Sequence, residues 1–133
     1  AIADADKMGI VFVAAAGNSN RDVSTFFPAA FRNVISVASS DHIDQKSDFS
    51  NYGVMIDVSA SGGDSYSSTD SYYQNILSLK AGEKDMYGDG TNIVAINYYR
   101  ARGTSMASPH VAGVSALVKS FYPTWNRKLK DIR

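Results

Sequence analysis

The sequence contains no cysteine, which excludes disulfide bonds and thiolate metal sites but does not fix a cellular compartment. Neither sign of charge is in excess, because 13 lysines and arginines balance 13 aspartates and glutamates. The composition therefore gives no indication of nucleic acid or an acidic membrane surface as a partner. Long apolar runs are also missing, since the longest, Ile10 to Ala16, is far too short to span a bilayer.

Short apolar runs take their place. Residues 10–16 form such a run without polar alternation, which is typical of a strand buried on both faces of a parallel sheet. Similar runs predict further strands at Val34–Ala38, Met55–Val58, Ile76–Leu79, Ile93–Ile96 and Tyr98–Tyr99. An exposed loop is expected from Ser59 to Asp70, where serine, glycine and aspartate dominate.

Two helices are predicted, one before the first of these strands and one after the last. Good helix formers run from Ala1 to Met8, and Gly9 follows where a C-terminal cap belongs. After Gly103 the apolar residues recur with a helical period, which predicts a tightly buried helix to about Ser120. Strands alternating with helices indicate an α/β layered sheet in one domain, with too few elements to close that sheet by itself.

The segment Gly103–Gly113, GTSMASPHVAG, carries the chemistry. Ser105 is expected in the first turn of the helix, where unpaired N–H groups and the helix dipole favour negative charge. Such a place suits the oxyanion of acyl transfer. Pro109 is compatible with an early helical position. The alternative is that Ser105 is an ordinary N-cap, which is the commonest role of serine before a helix.

This string resembles, residue for residue, the nucleophile segment of subtilisin-like serine proteases, the subtilases. Three further blocks resemble family segments in the same order, Val13–Asn18, Phe27–Val37 and Asp48–Gly53. The resemblance implies a three-layer fold with a mostly parallel sheet flanked by helices. It also implies that residues 1–133 are the C-terminal portion of a catalytic domain, truncated at both ends.

The resemblance assigns roles to individual residues. Ser105 is the expected nucleophile, and the amide of Asn18 is expected to donate to the oxyanion together with the Ser105 N–H. Without the family context, Asn18 after Gly17 reads as a turn residue. The substrate-binding residues are expected to be Ala14, Ala15, Ala16, Gly17 and Thr104.

The other two members of the catalytic triad are not found in the sequence. In subtilases the chain order is Asp, His, Ser, and only 17 residues precede Asn18. Asp4 and Asp6 lie in the opening helix without the family's glycine-rich context. His42 stands in a polar turn, and His110 lies five residues after Ser105, in the family a buried structural position.

No cofactor is required for this chemistry. A structural calcium or monovalent cation is possible at Asp57, with carbonyls near Ala29 and Phe31, although one carboxylate makes a poor calcium site. The segments 62–75 and 82–97 resemble insertions, the second with a hairpin. They are expected to shape substrate access, bind an ion or contact another domain, or else to be solvated surface.

The expected function is that of a serine endopeptidase acting on polypeptides, with this chain inactive alone. The alternatives are a half-enzyme that works only when paired with an N-terminal half, and a non-catalytic binding or structural remnant. A sheet cut through its middle exposes an edge and apolar faces, which predicts self-association. Family resemblance implies secretion or a cell-surface location.

Overall fold

The computed structural model describes residues 1–65, 73–80 and 92–122. Parts of both predicted insertions, 62–75 and 82–97, lie outside these ranges. The elements in chain order are helix α1 (Ile2–Lys7), strands β1 (Phe12–Ala15), β2 (Val34–Ser40), β3 (Val58–Ser61), β4 (Ile76–Leu79), β5 (Ile93–Ala95) and β6 (Tyr98–Ala101), and helix α2 (Thr104–Phe121). A single 3-10 turn, Val23–Thr25, follows β1.

A parallel three-stranded sheet forms the centre of the fold, in the order β1-β2-β3. Its register pairs Val13 with Ile35 and Val37 with Val58. The middle strand β2 is almost wholly buried, as a continuous apolar run predicts for a strand covered on both faces. The α/β class is confirmed.

The two faces of this sheet are covered differently. Ala14 and Ala16 join a core cluster with Val23, Ala29 and Val34, and Ile2 of α1 packs against that cluster. Helix α2 contacts all three strands, yet the cluster contains none of its residues, so α2 lies on the other face. A helix on each side of a parallel sheet gives the three layers implied by the resemblance.

The third strand does not lie where the sequence predicts it. Met55 falls in a turn and Ile56 packs against the core cluster, while the strand itself begins at Val58. The prediction of an exposed loop from Ser59 is wrong, because Ser59 to Ser61 pair with β2. An edge strand with mostly exposed side chains tolerates small polar residues, so apolarity was a misleading guide.

Helix α2 has the predicted bounds to within a residue but is far less buried than predicted. Val114, Leu117 and Phe121 recur on one stripe of the helix and are between 60% and 77% exposed. His110 is also exposed, which corrects the expectation of a buried histidine. The helical period revealed an apolar stripe, but the residues described here supply nothing that covers it.

Pro109 requires a second correction. It is the sixth residue of α2 rather than one of the first turn, so its missing N–H removes a bond inside the helix. The carbonyl of Ser105 is the acceptor that loses its partner four residues on.

Strands β4, β6 and β5 form a separate antiparallel sheet in that order. The hairpin between β5 and β6 turns at Ile96 and Asn97, so its second strand lies beyond the predicted insertion 82–97. Residues 82–91 lie outside the described ranges, and the hairpin expected within the insertion stays a prediction. Strand β6 ends at Ala101 and leads directly into Gly103 and α2. Within the described ranges no helix is long and apolar enough to cross a membrane.

The paired valines of β2 and β3 give a direct test of this core. Val37 is fully buried and its neighbour Val58 is exposed. We expect Val37→Ala to lower the free energy of unfolding by about 2 kcal/mol, because it removes two methyl groups and leaves a cavity. Val58→Ala should cost less than about 1 kcal/mol in the same urea titration. Equal losses for the two variants would contradict the burial of Val37 and the exposure of Val58.

Candidate active site

The turn from β6 into α2 places Ser105 at the surface. Gly103 is the N-cap residue and has φ +142°, a conformation that side chains with a Cβ rarely adopt. Its N–H donates to Gly62 O at 2.8 Å, and its carbonyl accepts from Met106 N at 2.9 Å. Ser105 is therefore the second helical residue, exposed, and the interpretation of Ser105 as the N-cap is wrong. Its N–H lies in the first turn of the helix, where the carbonyl four residues earlier belongs to β6 and not to the helix.

Asn18 is tied to the start of α2 by its side-chain oxygen. Asn18 Oδ1 accepts from the Thr104 N–H at 2.9 Å and from the Thr104 hydroxyl at 2.8 Å. The same hydroxyl accepts from Gly17 N at 3.1 Å. A backbone N–H only donates, so the atom facing it must be the amide oxygen and the opposite atom the NH2 group. Asn18 thus bonds across 86 residues, which a purely local turn residue would not do.

The amide of Asn18 and the N–H of Ser105 converge on the space left by the missing side chain of Gly103. A Cβ built on Gly103 would lie 3.2 Å from Asn18 Nδ2 and 3.7 Å from Ser105 N. Met106 Sδ borders the same space at 3.7 Å. Two N–H donors therefore lie within 4 Å of one point beside Gly103, next to the exposed Ser105 at a helix N-terminus whose dipole favours negative charge. This arrangement can hold an oxyanion.

The predicted substrate-binding residues divide into two groups. Ala15 and Gly17 are partly exposed and alternate along the chain with the buried Ala14 and Ala16. The side chains of Ala14 and Ala16 lie in the core cluster, which leaves only their backbone to face a substrate. Thr104 is fully buried, and its hydroxyl is bonded to Asn18 Oδ1. A substrate-binding role for the five residues stays a prediction. The sequence alone does not distinguish alanines that pack in a tight core from alanines that line a pocket.

No histidine or aspartate in the described ranges accompanies Ser105 as a triad. Asp6 accepts from Asn33 Nδ2 at 2.6 Å, and Asn33 precedes β2. Asn18 follows β1, so in a parallel pair it lies at the opposite end of the sheet from Asp6. Asp4 accepts from the N-terminal amine at 3.2 Å. His42 is exposed in the turn after β2, as predicted.

Asp57 has a structural partner in the sheet. Its Oδ2 accepts from Ser36 N at 2.9 Å, and its own N–H donates to Ser36 O at 3.0 Å. The described residues contain no group of three or more acidic or histidine side chains that could hold a metal ion. A cation at Asp57 stays a prediction.

Asp48, between β2 and β3, and Asp64, just after β3, form a carboxyl pair near the segment that Gly103 contacts. Burial, together with the neighbouring carboxylate of Asp48, raises the pKa of Asp64. Burial opposes ionisation of Asp48 too, but hydrogen bonds from Asp64 and Ser65 outweigh it and lower the pKa of Asp48. As the pH falls, Asp64 therefore takes up a proton before Asp48 does, and its Oδ1 accepts from Asp48 N at 2.8 Å.

Proteins that resemble this chain in sequence and structure are proteases. The Subtilase family model matches residues 1–132. A protease from Pseudoalteromonas arctica superposes with a TM-score of 0.77 at 36% identity, over 98% of this chain and 36% of that one. A lanthipeptide protease superposes with a TM-score of 0.79 at 28% identity, over 98% and 43%. The chain belongs to the subtilase family.

Two relatives show how much of a protease the chain spans. A thermostable alkaline protease of Halalkalibacterium halodurans is 38% identical over 94% of this chain, and the match covers 28% of that protein. An extracellular protease of Xanthomonas campestris is 42% identical over 93% of this chain and 18% of that protein. The chain therefore spans between about a fifth and a third of these two relatives.

The empty space at Gly103 generates a prediction. Gly103→Ala places a Cβ between the two donors and imposes an unfavourable backbone conformation, so it should lower the labelling or acylation rate of Ser105 about a hundredfold or more. Because the chain alone is expected to be inactive, the rate is measured in an assembly whose wild-type form reacts at Ser105. Gly113→Ala is the control, because a Cβ there meets no atom within 4 Å. It should leave the rate unchanged, and an equal effect of both variants would contradict the site.

Proposed function

We propose that the chain is the nucleophile-bearing part of a serine endopeptidase of subtilisin type. The observation that carries this proposal is that Asn18 Nδ2 and Ser105 N both lie within 4 Å of the position a Gly103 Cβ would take, beside the exposed Ser105. Peptide hydrolysis through an acyl-enzyme needs a nucleophile with N–H donors where the carbonyl oxygen becomes negative. Both are contributed by this chain.

The chemistry assigns each group one task. Ser105 Oγ attacks the scissile carbonyl, and a histidine takes its proton and later gives it to the leaving amine. Asn18 Nδ2 and the Ser105 N–H donate to the resulting oxyanion, after which the C–N bond breaks and leaves an ester on Ser105. A water molecule, deprotonated by the same histidine, hydrolyses that ester and restores the serine.

We propose that a polypeptide segment outside this sequence supplies the histidine and the aspartate that orients it. The surface of the described residues supports it. Strand β1 is the edge of the parallel sheet, and the stripe of Val114, Leu117 and Phe121 is exposed on α2. An apolar stripe of this kind and an unpaired strand edge suit burial against the remainder of one catalytic domain.

Polypeptides are the proposed substrates, and export is the proposed destination. The names of the relatives support both, since one of them is an extracellular protease and another a thermostable alkaline protease. The proposed reaction uses no cofactor. A cation at Asp57 is proposed only as a structural addition.

Covalent labelling tests the function. The chain alone should not react with a fluorophosphonate probe, because without a general base the serine hydroxyl is a weak nucleophile. Mixed with a segment that supplies the aspartate and histidine, it should gain one probe by intact mass, and Ser105→Ala should abolish the gain.

The remaining outcomes discriminate the alternatives. If the triad-bearing segment occurs naturally as a separate polypeptide, and Ser105 is labelled only when the two are mixed, the chain is a half-enzyme. Labelling of the chain alone that is lost in Ser105→Ala reveals a base within these residues and contradicts the expected inactivity. A folded assembly with both triad partners and an unlabelled Ser105 would favour the non-catalytic remnant and refute the proposed chemistry.

The exposed stripe predicts the behaviour of the isolated chain in solution. We expect concentration-dependent self-association in size-exclusion chromatography, because unburied apolar surface is covered by a second copy. Leu117→Glu should reduce that association and also weaken assembly with the triad-bearing segment. Ala112→Glu is the matched control, since this exposed position lies about 140° away around the helix. A monodisperse monomer at all concentrations would contradict the prediction.

A further inference from the structure

The loop that carries Asn18 is held by one buried side chain, that of Asn51. Asn51 lies in the segment that connects β2 to β3, and it is fully buried. Its Nδ2 donates to Ala16 O at 2.8 Å, and its Oδ1 accepts from Ser19 N at 3.0 Å and Arg21 N at 3.1 Å. One side chain therefore satisfies three backbone groups on both sides of Asn18.

These bonds fix the orientation of the Asn51 amide. Backbone N–H groups only donate and a carbonyl oxygen only accepts, so no other orientation satisfies all three partners. The backbone of Asn51 adds a fourth link, because its N–H donates to Gly17 O at 2.9 Å. The loop is thus bonded at positions 16, 17, 19 and 21, while the side chain of residue 18 reaches Thr104 instead.

Gly17 fits the same contact. It has φ +104°, and a Cβ on it would lie 2.5 Å from Asn51 Nδ2, closer than non-bonded atoms approach. Only glycine combines this backbone conformation with room for the Asn51 amide. The approach of Asn51 to the loop is therefore built into both partners.

Neighbouring residues extend this support along the loop. Phe49 O accepts from Asn20 N at 2.8 Å, and the Tyr52 N–H donates to Arg21 O at 3.0 Å. Lys46 Nζ donates to Asn20 Oδ1 at 3.0 Å. The segment from Lys46 to Tyr52 lies along the loop, and Asn51 is its one buried amide that bonds on both sides of Asn18.

We propose that Asn51 is a positioning residue for the oxyanion donor Asn18, an inference that rests on the proposed function. Thr104 holds the Asn18 side chain at its oxygen, and Asn51 holds the backbone from which that side chain projects. The strength of a hydrogen bond to a developing charge depends on distance and angle, so a loop released at Ala16, Ser19 and Arg21 carries Nδ2 away from the oxyanion.

Kinetics in the assembled enzyme distinguish positioning from general support of the fold. Asn51→Leu removes all three side-chain bonds and should lower kcat about tenfold to a hundredfold, with KM changed less than about threefold. Asn51→Asp keeps an acceptor for Ser19 and Arg21 and faces Ala16 O with a second oxygen, so it should retain more kcat than Asn51→Leu. It also serves where Asn51→Leu does not fold.

A double-mutant cycle with Asn18→Ala isolates the route of action. When Asn18 Nδ2 is already gone, Asn51→Leu should lower kcat by less than about threefold, because the two residues act through one donor. Val34→Ala, a core substitution at the other end of β2, is the control for lost stability and should leave kcat nearly unchanged. Losses that multiply in the cycle, or an equal loss in Val34→Ala, would overturn the proposal.

Hydrogen exchange separates this inference from the proposed function. In Asn51→Leu the amides of Ser19 and Arg21 should exchange faster than in wild type, with the β2 amides unaffected. Inactive wild-type assembly refutes the proposed function, and in that case this exchange pattern alone decides whether Asn51 holds the loop. Unchanged exchange at Ser19 and Arg21 overturns the positioning role whatever the activity.

Discussion

The two hydrogen bonds from Thr104 to Asn18 Oδ1 join the end of β1 to the start of α2, and the arrangement of the site depends on them. They occupy the oxygen of the amide and thereby turn its NH2 group towards the cavity at Gly103. An amide held at one end has few orientations left, so its donor is in place before a charge develops. The parallel sheet makes this junction possible, because it ends β1 beneath the first turn of α2.

Support for this junction comes from two directions. The N–H of Gly103 donates to Gly62 O, which ties the helix start to the end of β3. The buried amide of Asn51 bonds the backbone around Asn18. The proposed oxyanion donors are therefore held in place by residues of this chain, whereas the described residues contain no histidine beside Ser105 to take its proton. The proposed function requires this arrangement, because it places the nucleophile and the N–H donors on one polypeptide segment and the general base on another.

Sequence located the residues of the candidate site better than it predicted burial. The resemblance of Gly103–Gly113 and of the ordered blocks before it to subtilase segments singled out Ser105 and Asn18, and the structure brings these two residues together. Their chemical roles stay predictions. The third strand was misplaced, since Ser59 to Ser61 carry no apolar signal on an exposed edge. Helix α2 was predicted buried because periodicity reports an apolar stripe and is silent about what covers it. The role of Asn51 was missed, although Asn51 lies in a block that resembles the family, because hydrogen bonds to residues about 30 positions away leave no local pattern.

The central claim is that Asn18 Nδ2 and the Ser105 N–H together hold the negative oxygen of the reaction. It is tested most directly by a crystal structure of the assembled enzyme with a phosphonate bound covalently to Ser105, whose phosphoryl oxygen stands for the oxyanion. The account predicts that this oxygen lies about 2.7–3.1 Å from both nitrogens, in the space beside Gly103. A phosphoryl oxygen turned to solvent, or an Asn18 amide rotated away from Thr104, would contradict it.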